Sequence, residues 1–259
     1  MTKKPTDTGM NRTGAAMSPI DSVKTAEGAE ARGPSPGLDE VESISDVRIS
    51  WSNEADPVGT MPPPANLKGA VQTAANALKG EKLPVFLDLL AERLAFERTG
   101  TRLYEALMAK HAASDPHPGG PTARDLRIIR DEEHFHYVLL ASAMETMGGD
   151  PTAMTPSADI SAVASMGLLQ VLTDPRTTLT EALKAILIAE LTDNDAWVSL
   201  IEFARALGQD ELASRFTTSL AEEAQHLLKV RTWLKNMIGG QLGVDMPMAA
   251  GDDGLSATT

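Results

Sequence analysis

Apolar residues recur along this chain at the spacing of helices, not strands. From Asn66 onward Leu67, Val71, Ala74, Ala75 and Leu78 fall three or four positions apart and Gly80 offers a stop, which predicts a short amphipathic lead-in helix. Pro84 sits where a first helical turn tolerates proline. The periodicity then runs to about Ala113 and is closed by Asp115-Pro116-His117-Pro118-Gly119-Gly120-Pro121. Thr122 is a natural N-cap for a second long helix that reaches Met147, ahead of Gly148-Gly149. A third covers about Leu179 to Leu207 and stops at Gly208. A fourth runs from about Asp210 to Met237, before Gly239-Gly240.

The stretch from Asp150 to about Thr178 is too long for a hairpin loop and has its own helical segment near Ile160 to Leu172, so it reads as a crossover connection. No segment combines strand alternation with turn signals, and the expected class is all-α. Ahead of the helices, residues 1–65 hold eight of the 16 prolines among Gly, Ser, Thr and acidic residues. That composition buries too little apolar surface to order itself, so a disordered or loosely docked N-terminal arm is expected. Val47 to Trp51 alternates weakly inside it, as a short strand or docking peptide would, although the composition favours an unstructured tail. Helices with their lead-in fill residues 66–240, and residues 241–259 read as a flexible C-terminal tail.

The inward stripes of the four long helices share an anomaly. Phe86, Leu90, Leu94, Glu97, Tyr104 and Met108 lie on one face of the first, and Leu126, Ile129, Glu133, His136, Leu140 and Met144 on one face of the second. The third gives Leu183, Ile186, Leu187, Glu190, Trp197 and Ile201. The fourth gives Phe216, Leu220, Glu223, His226, Val230 and Leu234. Each apolar stripe contains a glutamate. An unpartnered buried carboxylate costs several kcal/mol, and four facing one another would cost more. Something positive must stand between them. Two divalent cations cancel four glutamates, with two neutral imidazoles completing the shells, and Arg93 is the sole basic residue close to these stripes.

The pattern also repeats. Glu97 is followed seven residues later by Tyr104, and Glu190 seven later by Trp197, each on the same helical face. Glu133-His134-Phe135-His136 begins 36 residues after Glu97, and Glu223-Ala224-Gln225-His226 begins 33 after Glu190. Two helical hairpins of one design are implied, each with a Glu and a His side by side at i, i+3.

A Glu from each of two helices plus Glu-x-x-His from each of two others resembles the ferritin-like di-iron carboxylate superfamily over about residues 84–238. The resemblance implies an antiparallel four-helix bundle with one long crossover. It implies that Glu133 and Glu223 bridge two metals, that His136 and His226 bind one each, and that Glu97 and Glu190 are terminal ligands. Tyr104 matches the aromatic that lies beside such sites and can supply an electron, a catalytic role. Iron is the usual metal of that family and manganese the minority case, which spacing alone does not separate. The implied function is redox chemistry with O2 or peroxide, of ferroxidase, peroxidase or oxygenase type. The alternative is a non-catalytic metal-binding or interaction scaffold. Hydroxylation of tRNA, also found on this fold, sits badly with the charge of this chain.

That charge is −13, from 36 acidic and 23 basic residues, with a pI near 4.8 and no Lys/Arg run, which argues against nucleic acid as a partner. The absence of cysteine excludes disulfides, thiolate zinc sites, rubredoxin-type iron and iron–sulfur clusters in this chain, so a redox role needs a separate electron donor. No segment reaches the roughly 18 apolar residues of a membrane span, and a soluble cytoplasmic protein is expected, self-associating through its outer helix faces as a dimer. Among the remaining polar residues, His111, His117 and His134 read as solvated. Glu132 and Glu222 read as outward-facing, or as carriers of metal on a route inward. Asp193 and Asn194 read either as orienting a ligand imidazole or as a helix-surface pair, and Trp197 as packing the interior.

Overall fold

The computed structural model describes residues 19–31, 43–59, 61–64, 69, 71 and 83–244. Among them are seven α-helices and no strand, so the class is all-α. The chain divides into two units, Met1–Val58 and Gly59–Thr259.

The first unit contains α1 (Pro19–Ala31) and α2 (Ile44–Glu54). Both are helical, and Val47 to Trp51 lies within α2 instead of forming a strand. The local cause in α2 is a capping box. The Ser43 hydroxyl accepts from the Asp46 N–H at 3.1 Å while the Asp46 carboxylate accepts from the Ser43 N–H at 3.1 Å. No residue of α2 is buried. Of the expected lead-in helix only Gly69 and Val71 are described, both helical; the rest lies outside the described residues.

In the second unit four long helices follow the expected order: α3 (Leu83–Ala112), α4 (Ala123–Thr146), α6 (Leu179–Ala206) and α7 (Asp210–Leu242), with α5 (Pro156–Thr173) in the connection. Thr122 and Thr178 start α4 and α6 with capping boxes to Asp125 and Glu181. Thr155 caps α5, with Pro156 in its first turn. α7 does not stop at Gly239-Gly240. It continues to Leu242 and ends on Gly243, whose φ of +69° supplies the left-handed cap.

The helix directions follow from contacts at their ends. Within the first hairpin Leu87, early in α3, lies beside Gly149 after α4, while His111 at the end of α3 contacts the Pro121 carbonyl before α4. In the second, Gln241 of α7 donates to Thr180 at the start of α6. Lys110, near the end of α3, donates to the carbonyls of Asp174 and Thr177 just before α6. Both hairpins are therefore antiparallel, α3 opposes α6, and α4 and α6 point the same way. Only a connection that travels the length of the helices can join α4 to α6. α5 does so along α3, tied at one end by Ser157 to Asp88 and at the other by Lys110. It turns the small residues Ala158, Ser161 and Ser165 inward.

Two apolar clusters fill the interior. One is built on Leu90, Leu140, Trp197, Ala204 and Phe216, the other on Leu107, Ile129, Leu183, Ile186, Val230 and Met237. Between them lies a layer of buried polar side chains: Arg93, Glu97, Glu133, His136, Glu190, Asp193, Glu223 and His226.

Candidate metal centre

Each of the four long helices delivers carboxylate to this layer because a glutamate interrupts its apolar stripe. Glu97 comes from α3, Glu133 and His136 from α4, Glu190 from α6, and Glu223 and His226 from α7. All six are 0–2% exposed. They gather into overlapping groups. Glu133, Glu190, Glu223 and His226 each place one donor atom within 4.8 Å of the others, and so do Glu97, His136 and Glu223. A third group joins Glu97, Glu133 and Glu223 to Asp193. Glu223 is common to all three, and Glu97 and Glu133 each to two, so Glu223 stands at the centre of the cluster.

The imidazoles are oriented by residues that helical phase had placed outward. His136 Nε2 lies 2.7 Å from Glu222 Oε2, and His226 Nε2 lies 2.8 Å from Glu132 Oε2. Each ring is thus held by the glutamate that precedes the central carboxylate of the opposite hairpin. With Nε2–H donated outward, Nδ1 is the ring atom that faces the interior, where His136 Nδ1 lies 2.7 Å from Glu223 Oε1 and His226 Nδ1 lies 3.3 Å from Glu223 Oε2. Glu132 and Glu222 remain about one-third exposed, since their carboxylates reach inward from a helix edge. Their signal in the sequence is the doubled acid, Glu-Glu-x-x-His, present in both hairpins.

Asp193 and Asn194 do not serve the imidazoles. Asp193 Oδ1 pairs with Arg93 Nη2 at 2.6 Å, and the same nitrogen donates to Glu97 Oε1 at 3.3 Å. Asn194 instead donates to the backbone carbonyls of Glu190, at 2.9 Å, and Glu223, at 3.1 Å, tying α6 to α7 at ligand level. Tyr104 donates its phenolic proton to Glu190. Trp197 packs edge-on against His136, with centroids 5.7 Å apart, and against Phe216. His134 is exposed and stacks on Tyr137. At Gly100 a Cβ would overlap the Glu133 carboxylate, so glycine is what lets that side chain lie against α3.

Without a cation the cluster is electrostatically costly. Burial and then repulsion from Glu223 push Glu133 up to about 8. Burial and then Glu133 raise Glu190 well above the carboxylate range. Burial works against a charge on His136, but hydrogen bonds to Glu223 and Glu97 raise it to about 11, and His226 moves the same way through Glu132, Glu133 and Glu223. Glu223 goes the other way. Burial would raise it, and hydrogen bonds from His136 and His226 override that and hold it at about 2. Burial and Glu190 keep Tyr104 protonated far above its ordinary range.

The donor set fits metal ions. Glu133 Oε2 and Glu190 Oε2 are buried with no hydrogen-bond partner, an arrangement native interiors rarely leave standing. Five carboxylates against the Arg93 guanidinium leave four negative charges, which two divalent cations would cancel. These buried Glu and His groups could therefore hold metal; carboxylate and imidazole together suit iron, manganese and zinc alike. Comparison of the chain with protein-family models, with curated proteins and with solved structures finds no match to any of them. Among the described residues no helix is long and apolar enough to cross a membrane.

Proposed function

We propose that the second unit is a ferritin-like four-helix bundle whose polar layer holds two metal ions, iron first and manganese as the alternative, for redox chemistry with O2 or peroxide. The observation that carries this reading is the overlap of two buried Glu/His groups on Glu223, with oxygens of Glu133 and Glu190 lacking any partner. A single ion would leave either Glu97 and His136 or Glu190 and His226 uncompensated.

In this reading Glu97 and His136 would help to hold one ion and Glu190 and His226 the other, with Glu133 and Glu223 available to both. Bound there, a reduced iron pair supplies two electrons to O2 or peroxide. The chain supplies the rest. Glu222 and Glu132 hold the outer imidazole protons, so that Nδ1 of each ring stays available inside. Tyr104 holds a proton at its phenolic oxygen against Glu190, and stays neutral because burial forbids the phenolate. Trp197, Leu90 and Phe216 on one side and Leu103 and Ile129 on the other exclude water. With no cysteine in the chain, electrons would come from a separate donor.

Elemental analysis of freshly purified chain, then anaerobic Fe(II) loading and exposure to O2 under optical observation, tests the reading. Two metals per chain and rapid oxidation of the loaded iron are expected. A chain that holds no metal and takes none up would remove the proposal and leave a helical scaffold.

A further inference from the structure

One of the three buried groups in the polar layer has no histidine. Glu97, Glu133, Asp193 and Glu223 each bring an oxygen within 4.8 Å of the others, and a cation of the chain itself already answers them. Arg93, 3% exposed, places Nη2 at 2.6 Å from Asp193 Oδ1 and 3.3 Å from Glu97 Oε1. Its guanidinium lies over the Phe96 ring, 4.5 Å from the centroid, so the charge also has an aromatic neighbour. Burial works against a charge on Arg93, and the attraction of Asp193, Glu97, Glu223 and Glu133, in that order, overcomes it. The four carboxylates that keep the arginine charged are the four of the group. Arg93 also lines the groove between α3 and α6, beside Glu92 and Asp195, so its side chain stands between that groove and the carboxylates.

We propose that Arg93 fills a third cation position and thereby limits the centre to two metal ions. Two divalent cations answer Glu97, Glu133, Glu190 and Glu223, which leaves Asp193 as the fifth buried carboxylate of the layer. That is the one the guanidinium meets at the shorter distance. Arginine suits a permanent place, because it stays charged at any pH the fold survives and is not drawn off by a chelator. With the arginine gone, the donors are carboxylate oxygens alone, a set for oxygen-preferring divalent ions such as Mn(II) or Mg(II). The limit of two rests on the dinuclear reading; the third position does not.

Elemental analysis of the full chain after anaerobic Mn(II) loading and desalting tests this. Arg93→Ala removes the cation and opens the position toward the groove, and it is expected to hold one Mn(II) more than wild type. Arg93→Lys keeps a charge there, and Arg93→Ala combined with Asp193→Asn takes one carboxylate away; both are expected to hold no more than wild type. No extra ion in Arg93→Ala, or an extra ion that persists in either of the other two variants, would overturn the proposal. If circular dichroism shows Arg93→Ala unfolded without metal, it is refolded against Mn(II). Recovery of helix with the extra ion bound sustains the proposal, and a chain still unfolded at saturating Mn(II) overturns it. Two ions in wild type with no gain in Arg93→Ala would remove the third position alone. None in wild type and one in Arg93→Ala would sustain that position and remove the dinuclear reading.

Discussion

The two hairpins, α3–α4 and α6–α7, present the same order of ligand-type residues and surround them differently. Three residues after its first glutamate, one has Gly100 and the other Asp193. Gly100 lends space, allowing Glu133 to lie against α3. Asp193 adds a charge, and Arg93 answers it at 2.6 Å from the facing helix, while the position equivalent to Arg93 in the second hairpin is Ile186. The Glu97 side is thus an ion-paired environment. On the other side Glu190 meets the neutral Tyr104 hydroxyl, and burial drives its carboxyl toward protonation. A repeated ligand pattern does not make two equal sites, because the low dielectric of the interior amplifies each neighbouring charge.

Breaking the element common to both sides should have the largest effect. Glu223→Ala is expected to lose both metals, whereas Glu97→Ala and Glu190→Ala each lose one, as read by elemental analysis after anaerobic loading. Two tightly held ions in the Glu223 variant would sink the shared-ligand reading. Next comes the ion pair that distinguishes the sides. Arg93→Met strands Asp193 and Glu97 and should lower the stability of the metal-free chain by about 3–5 kcal/mol in urea unfolding, with Asp193→Asn added to it recovering part of the loss. An unchanged midpoint would mean that the pair carries no stability.

The imidazole supports are the respect in which the hairpins are alike. Glu132→Ala and Glu222→Ala should each weaken metal binding by about 10- to 100-fold, and by similar factors. Widely different losses would show that only one imidazole depends on its outer partner. Gly100→Ala sharpens the contrast at about 1–3 kcal/mol, the cost of a methyl pressed into a filled space, with a smaller drop in affinity as Glu133 is pushed aside. Wild-type stability together with wild-type affinity would show that the space is not needed.

The gentlest test uses pH. Glu133 in the folded, metal-free chain is raised to about 8 from the ordinary 4.5, so the folded state holds that proton more tightly and stability falls as pH rises from about 4.5 to 8. His136, raised to about 11, adds stability that is complete below about 6.5 and is lost as pH rises further. Metal replaces both protons. The melting temperatures of loaded and metal-free chain should therefore diverge between pH 5 and 8; convergence would contradict the charge assignments.

Much of this was legible because burial and sequence period disagree so plainly at a few residues. Glu97, Glu133, Glu190 and Glu223 stand inside apolar stripes, and the phase that hides Leu90 or Phe216 hides them too. Glu132 and Glu222 were not legible from phase. A glutamate is long enough to reach back from a helix edge, and its partner sits on another helix. The partner of Asp193 was obscured in the same way, since Arg93 is 100 positions away in sequence. α2 shows a different limit. The composition of the arm spoke for disorder, while the four-residue signal of its capping box, Ser43 to Asp46, marked a helix start. At the other end, two glycines in α7 cost about 1 kcal/mol each without ending it, because the cap conformation falls at Gly243.

The exchange of partners between hairpins has a consequence for the order of events as the chain folds. Each hairpin can close early on its own short connection, but His136 finds its outer acceptor on α7, His226 finds its own on α4, and Tyr104 finds Glu190 on α6. None of these contacts exists until α5 has carried the chain back along α3 and the hairpins have met, a slow step dominated by the entropy of distant closure. A half-made chain emerging from the ribosome thus has glutamates but no formed site, and the Glu and His groups that could hold a metal ion come together only once the walls around them are in place.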